Sequence, residues 1–345
     1  MVAKRNSAPL VISMGDPAGI GPEVILKAVA RLRARGDAVP LAVIGDLEVM
    51  RATAHRLGNV PSPTAWTPDV SLIPIRRGLG VFSPGETSAG LTSPGHPTIE
   101  GARAAYRYIV EGAKLALRGR ACALVTGPIN KQLLNRAGHR VPGHSELLAR
   151  ISHTQLWRMM FAGGDLRLAL VTVHIGLARV ARALTRARVF KTIALLALHL
   201  RTEMGISQPR IAVLGFNPHA GEGGLFGDEE IRVIKPAINQ AVKCGVDAYG
   251  PLAPDTAFVR LHGRFDFDAA VAMYHDQGLI ALKTLEFDRA VNITIGLPFV
   301  RTSPDHGTAY DIAGRGVANP SSMVAAIDYA WGAALRRGSR LRKAA

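Results

Sequence analysis

The chain predicts an α/β protein of two lobes, with a cleft lined by loops at strand ends. Short apolar runs alternate with turn residues and then with longer helix-like stretches, the pattern of parallel strands joined by crossover helices. Several of these runs end in polar, glycine-bearing loops, and open α/β sheets bind ligands at such strand ends. At 345 residues, 48% hydrophobic and 20% charged, the chain is long and apolar enough for two cores and is not disordered in bulk.

The elements follow in order. Leu10–Met14 reads as a strand running into Gly15-Asp16-Pro17-Ala18-Gly19-Ile20-Gly21-Pro22, and a helix begins near Pro22, a good first-turn residue. Leu41–Ile44 is a second strand, stopped by Gly45-Asp46 before another helical stretch. Thr98–Leu117 reads as a long amphipathic helix, and Ala123–Val125 meets Thr126-Gly127-Pro128. Leu166–Val173 delivers His174, Ile211–Phe216 delivers Asn217-Pro218-His219, and Ala269–Tyr274 delivers His275. Asn59–Thr67 and Ser83–Pro97 read as surface loops, and a helix is expected at Asp228.

Net charge is +16, from 42 basic and 26 acidic residues, which raises nucleic-acid binding as a function class. The arginines are scattered, however, and the densest group, Arg336 to Lys343, belongs to the C-terminal tail. No RNA-binding aromatic signature, zinc finger or basic zipper is present. A solvated basic surface that draws in anionic substrates is the simpler reading, with no specific nucleic-acid partner. Cys122 and Cys244 sit in apolar contexts and read as buried free thiols in a reduced, cytoplasmic setting. No apolar run reaches the length of a membrane span, so no membrane partner is expected.

The chemistry concentrates in a few places. Asp305 to Pro320 is a glycine-punctuated loop able to curl closely around a ligand. His174, His219 and His275 share the same strand-end placement. One such histidine is usually structural, but three favour a divalent metal with an open position for a substrate oxygen. Asp276 beside His275 is a ligand, an orienting group or a base. Lys283, Asn292 and Arg301 are anion-binding candidates, Arg offering a planar fork and Lys a point charge. Gly143-His144-Ser145-Glu146 precedes an apolar helix, with Ser145 as its expected cap and its N–H groups as an anion site. Gly127-Pro128-Ile129-Asn130-Lys131 is either a plain strand-to-helix turn or one that aims Lys131 at substrate. No Gly-x-Gly-x-x-Gly follows the first strand, which argues against a standard Rossmann nucleotide site.

Taken in order, Gly15 to Glu23, Gly143 to Glu146, Asn217 to Glu222, Tyr274 to Gly278 and Arg301 to Gly314 resemble the 4-hydroxythreonine-4-phosphate dehydrogenase (PdxA) family of vitamin B6 biosynthesis, over nearly the whole chain. The resemblance implies two α/β/α lobes with a central cleft, isocitrate/isopropylmalate dehydrogenase-like, in a cytoplasmic homodimer. The lobes are expected at residues 1–125 with 288–345, and at 126–287. It implies metal-dependent oxidation of a secondary hydroxyl by NAD or NADP, followed by decarboxylation. A zinc, magnesium or cobalt ion is expected on His174, His219 and His275, one of them lent by the partner subunit. Substrate is expected at His144, Ser145, Lys283, Asn292 and Arg301, with Asp276 and Lys131 as catalytic candidates. The cofactor is expected at Asp305, His306, Gly307, Thr308, Ala309 and Asp311. Ser145 stands where the family usually has Thr. The segments around Lys131 and Tyr310 look more like paralogues acting on 4-phospho-threonate or 4-phospho-erythronate. A further relative oxidises a terephthalate cis-dihydrodiol, but His144, Lys283, Asn292 and Arg301 together favour a phosphorylated substrate. The rival enzyme class is a metal-dependent hydrolase, which would leave the late glycine-rich loop without a role.

Overall fold

The computed structural model describes residues 8–68, 78–85 and 93–344. The chain divides into two compact units, Met1–Gln155 with Leu297–Ala345, and Leu156–Gly296. The first unit opens with β1 (Leu10–Ser13), α1 (Gly21–Ala34), β2 (Leu41–Ile44), α2 (Leu47–Leu57), β3 (Pro63–Ala65) and β4 (Leu79–Phe82). It continues through α3 (Ile99–Leu117), β5 (Ala123–Thr126), α4 (Lys131–Arg136) and α5 (His144–Ile151). The second unit holds β6 (Arg158–Gly163), β7 (Leu166–Leu170), α6 (Val180–Ala183), α7 (Arg186–His199) and β8 (Arg210–Leu214). It closes with α8 (Lys235–Lys243), β9 (Asp247–Leu252), β10 (Ala269–Ala272), α9 (His275–Glu286) and β11 (Val291–Ile295). The chain then returns to the first unit as β12 (Val300–Pro304) and α10 (Ser321–Ala344).

The expected α/β alternation is present. In the first unit the strands lie in the order β3-β4-β2-β1-β5-β12, all parallel. β1, β2 and β5 are four-residue apolar or small segments buried at every position, as strands covered on both faces must be. Local signals set the helix starts. Asp46 caps α2 by accepting from Val49 N at 3.0 Å, and Thr98 caps α3 by accepting from Gly101 N at 2.9 Å. Gly15 has φ +81°, and a Cβ there would run into the Pro128 carbonyl, so the loop after β1 passes tightly against the turn after β5.

The second unit orders its strands β11-β6-β7-β10-β8-β9. β7, β10, β8 and β9 are parallel, whereas β6 is antiparallel to both β7 and β11. Its core gathers Phe161, Leu168, Leu170, Leu214, Val271 and Leu282. β10 lies between β7 and β8, so the segments that leave these three strands start side by side.

Several expectations need correction. The expected split after residue 125 is displaced to 155/156, because α4 and α5 pack on α3 and stay with the first unit. Residues 288–296 stay with the second unit, because β11 pairs with β6 along five residues. The segment Asn59–Thr67, expected to be a plain loop, contains β3, held parallel to β4. Ser83–Pro97 lies partly outside the described residues. The helix expected at Asp228 is present, with a π-helical turn at Glu230–Ile234 leading into α8. Cys244 is exposed rather than buried, while burial pushes the Cys122 thiol up to about 12. Among the described residues no helix is long and apolar enough to cross a membrane.

Candidate active site

In the first unit, a niche lined by buried polar side chains forms where β5, β12 and the start of α5 meet. Arg301 on β12 is 2% exposed and donates through Nη2 to Thr126 Oγ1 at 2.7 Å and Ser303 Oγ at 3.0 Å. Burial pulls its guanidinium down to about 9, against the charge of Glu146, and it stays protonated at neutral pH. A buried cation of this kind is costly and is offset here by the Glu146 charge and by the hydroxyls of Thr126 and Ser303. His144 opens α5. Burial, then the charges of Arg301 and Lys131, hold its imidazole well below its ordinary pKa, although the Gly127 carbonyl accepts a hydrogen bond from it. The ring is therefore neutral, and its Nε2 is shielded from solvent with no partner among the described residues. An orphaned buried polar atom calls for a partner that the described residues do not supply. Ser145 is buried next to it but does not cap the helix as expected; the cap position is Gly143. A Cβ built on Gly143 would meet Glu146 Oε2 at 3.2 Å and Lys131 Nζ at 3.7 Å, so Lys131 stands at the same helix start. Lys131 owes its place to Asn130, whose side chain caps α4 by accepting from Leu133 N.

The late loop belongs to the same unit. Ile20 N donates to Thr308 O at 2.9 Å, and Asp305 N donates to Ser322 Oγ at 3.1 Å. Glu23 and Lys27 on α1 clamp its far end. Glu23 accepts from Ala318 N at 2.8 Å, and Lys27 Nζ donates to Gly316 O at 2.6 Å, Ala318 O at 2.9 Å and Glu23 Oε1 at 2.7 Å. His306 is lowered from its ordinary pKa by burial, and its Nε2 is shielded without a partner among the described residues. Gly307 and Asp311 are exposed. The loop thus has a fixed frame with open polar groups along its first half.

In the second unit, the His174 and His275 rings face each other with centroids 6.0 Å apart. Asp276 Oδ1 lies 2.6 Å from His275 Nδ1, which fixes the ring and leaves Nε2 outward. Two imidazoles this close are the beginning of a donor set for a divalent ion. The expected triad is not assembled within one chain. Among the described residues no group of three or more His, Cys, Asp or Glu side chains could hold a metal. His219 lies beyond β8 with its ring against Phe226, centroids 6.1 Å apart, and its Nδ1 3.4 Å from Glu222 Oε2. The reason is local. His219, Ala220 and Glu222 all have positive φ, 52°, 53° and 41°, so the segment coils left-handedly away from the strand end. Lys283 is exposed on α9, with its Nζ 5.9 Å from the Phe287 ring centroid, and Asn292 lies on β11 opposite Phe161.

Two residues that sequence reasoning missed shape this region. Gln277 accepts from Met273 N and donates to Gly215 O, both at 2.7 Å, tying the end of β10 to that of β8. Glu230 is 3% exposed and accepts from Phe216 N at 2.7 Å, Asn217 N at 2.8 Å and Asn217 Nδ2 at 2.9 Å. Burial pushes its carboxyl up, but these bonds together outweigh it and hold it below its ordinary value. A carboxylate with a depressed pKa stabilises the fold above its unfolded pKa, and that support is lost as pH falls through the folded one. Wild-type thermal stability is therefore expected to drop below the usual carboxylate range more steeply than that of Glu230→Gln. Parallel pH–Tm profiles in the two proteins would remove Glu230 from this role.

The chain is similar to known proteins along most of its length. The model of the pyridoxal phosphate biosynthetic protein PdxA matches residues 37–330. A 4-hydroxythreonine-4-phosphate dehydrogenase of Maricaulis maris is 46% identical over 329 residues, 94% of this chain and 96% of that protein. A Bradyrhizobium diazoefficiens protein provisionally named D-threonate 4-phosphate dehydrogenase is 43% identical over 339 residues, 94% of this chain and 96% of its own. The crystal structure of 4-hydroxythreonine-4-phosphate dehydrogenase from Klebsiella pneumoniae superposes with a TM-score of 0.82 at 40% identity, covering 95% of this chain and 100% of that one. Likeness in sequence and in fold, along nearly the full length of both partners, makes this chain a member of the PdxA family.

Proposed function

We propose that the chain oxidises the secondary hydroxyl of 4-hydroxythreonine 4-phosphate with a nicotinamide cofactor, in pyridoxal phosphate biosynthesis. Family membership supplies the reaction class. The observation that carries the substrate reading is the buried Arg301 beside the orphaned His144 Nε2. Arg301 and the start of α5 bind a phosphate, and His144 accepts from a substrate hydroxyl. Holding the phosphate away from the reacting carbon positions that carbon, an effect worth up to ~7–11 kcal/mol of barrier. Lys131 is the first candidate to take the hydroxyl proton. Lys283 and Asn292 keep their expected substrate role, and Asp276 is assigned to orienting His275.

The late loop is assigned the adenosine end of NAD or NADP through Asp305, His306, Gly307, Thr308, Ala309 and Asp311; the nicotinamide supplies the hydride acceptor. His174 and His275 would hold a divalent cation together with His219 of a second copy, and the cation would supply Lewis acidity at the substrate's hydroxyl oxygen. Imidazole donors suit zinc or cobalt better than magnesium. A homodimer agrees with the exposed Leu177, Leu225, Phe226 and Ile231 of the second unit, two of which directly follow the His219 segment.

The test is turnover, read as reduced-nicotinamide absorbance, with 4-hydroxythreonine 4-phosphate, D-threonate 4-phosphate and their dephosphorylated forms. Reduction with a phosphorylated substrate alone is expected. The likeness to the Bradyrhizobium protein makes D-threonate 4-phosphate the second candidate. Turnover of a phosphorylated substrate without any nicotinamide would favour the hydrolase instead.

A further inference from the structure

We propose that Tyr310 is a positioning residue of the dehydrogenase: its hydroxyl, seated on the Asp16 carboxylate, holds the late loop in the shape that takes the nicotinamide cofactor. The proposal rests on the cofactor reading given above and adds a residue outside the contact set assigned there.

Tyr310 directly follows Ala309, whose φ is 42°. A non-glycine residue in that region costs about 1–3 kcal/mol and persists only where its surroundings hold it. Besides the backbone bond from Ile20 N to Thr308 O, the restraint beside it is the Tyr310 hydroxyl, which donates to Asp16 Oδ2 at 2.6 Å. Asp16 is 1% exposed. Its other oxygen accepts from Ala18 N at 3.0 Å, and its own N–H donates to Pro128 O at 2.8 Å. The same phenol is hydrogen-bonded by the side chains of Asn130 and Thr308. One hydroxyl therefore joins three segments: the loop after β1, the turn that delivers Lys131, and the late loop. Burial raises the pKa of both partners, and the bond from the phenol works against that rise at Asp16. The phenol stays protonated and remains the donor.

A loop whose strained turn is held by a few hydrogen bonds is preorganised for its ligand, and losing one of them transfers part of the ordering cost to the binding step. The phosphate niche is built on Arg301, held by Thr126 and Ser303, and on His144, held by the Gly127 carbonyl, so its affinity is expected to change far less than that of the late loop. The effect thus separates the two substrates of one reaction, which general loss of structure does not do.

The experiment compares wild type, Tyr310→Phe, Asp16→Asn and the double variant, measuring KM for cofactor, KM for phosphorylated substrate, kcat and Tm. Tyr310→Phe is expected to raise KM for cofactor about tenfold, as removal of a hydrogen bond to a charged group does, and to change KM for phosphorylated substrate less than about twofold. Asp16→Asn is expected to act in the same direction, and the double variant to be no worse than the worse single, because both remove one interaction. Wild-type cofactor KM in Tyr310→Phe, or multiplying effects in the double variant, overturns the proposal while leaving the cofactor reading intact. A wild-type protein that reduces neither NAD nor NADP overturns both.

Discussion

Arg301→Met is expected to raise the KM for a phosphorylated substrate about a hundredfold or more while leaving a dephosphorylated substrate almost untouched. The side chain is 2% exposed, so the charge it presents to a phosphate is desolvated before the ligand arrives. Truncating one partner of a buried charge pair costs about 2–5 kcal/mol, which sets the size of the effect. Methionine keeps the aliphatic length but leaves Thr126 Oγ1 and Ser303 Oγ without the donor they now have. Stability should therefore fall as well, by about 1–3 kcal/mol. Arg301→Lys separates charge from geometry: it keeps the cation but cannot bond Thr126, Ser303 and a phosphate with one planar fork. An intermediate KM is expected for it. Equal loss on phosphorylated and dephosphorylated substrates would show that Arg301 supports the fold and not the anion.

The contrast between Arg301 and Asp16 shows what a sequence can carry. Arg301, His144 and Lys131 stand out as candidates in the sequence because each sits in a short motif with polar and glycine neighbours. Their grouping does not, since Arg301 meets Thr126 across 175 residues of chain. The bond between Tyr310 and Asp16 spans 294 residues, and that from Gln277 to Gly215 spans 62; only strand order brings such pairs together. The parallel strands were legible where buried apolar runs ended in turn residues. β6 carries no mark of its antiparallel pairing, because direction is set by its neighbours β7 and β11. Ser145 misled in a simple way: the cap falls two residues earlier, at Gly143, in extended backbone at φ 180°. The histidines show both outcomes. β7 and β10 are adjacent and their exit segments stay short, so His174 and His275 meet. β8 is adjacent to β10 as well, yet its exit coils left-handedly under the grip of Glu230, and His219 leaves the pair.

That departure gives the most discriminating test of a shared site. His219→Ala and His275→Ala are each expected to abolish turnover, because a cation held by two imidazoles in place of three is bound far more weakly. If His219 serves a second copy, the two dead proteins complement. A mixed dimer has one site made of intact His174 and His275 from the first variant and intact His219 from the second. Its other site lacks both. Random exchange of equal amounts makes half the dimers mixed, each with one site of two, so about a quarter of wild-type activity should return. Metal content should return in the same proportion, which gives a readout independent of turnover. If instead all three histidines serve their own chain, every site in the mixture lacks one ligand and activity stays at zero. Unmixed variants unfolded and refolded alone control for recovery by refolding. The geometry favours complementation, because the His219 ring already packs on Phe226 and lies beside exposed Leu225, on a surface apolar enough to be covered by another copy of the chain.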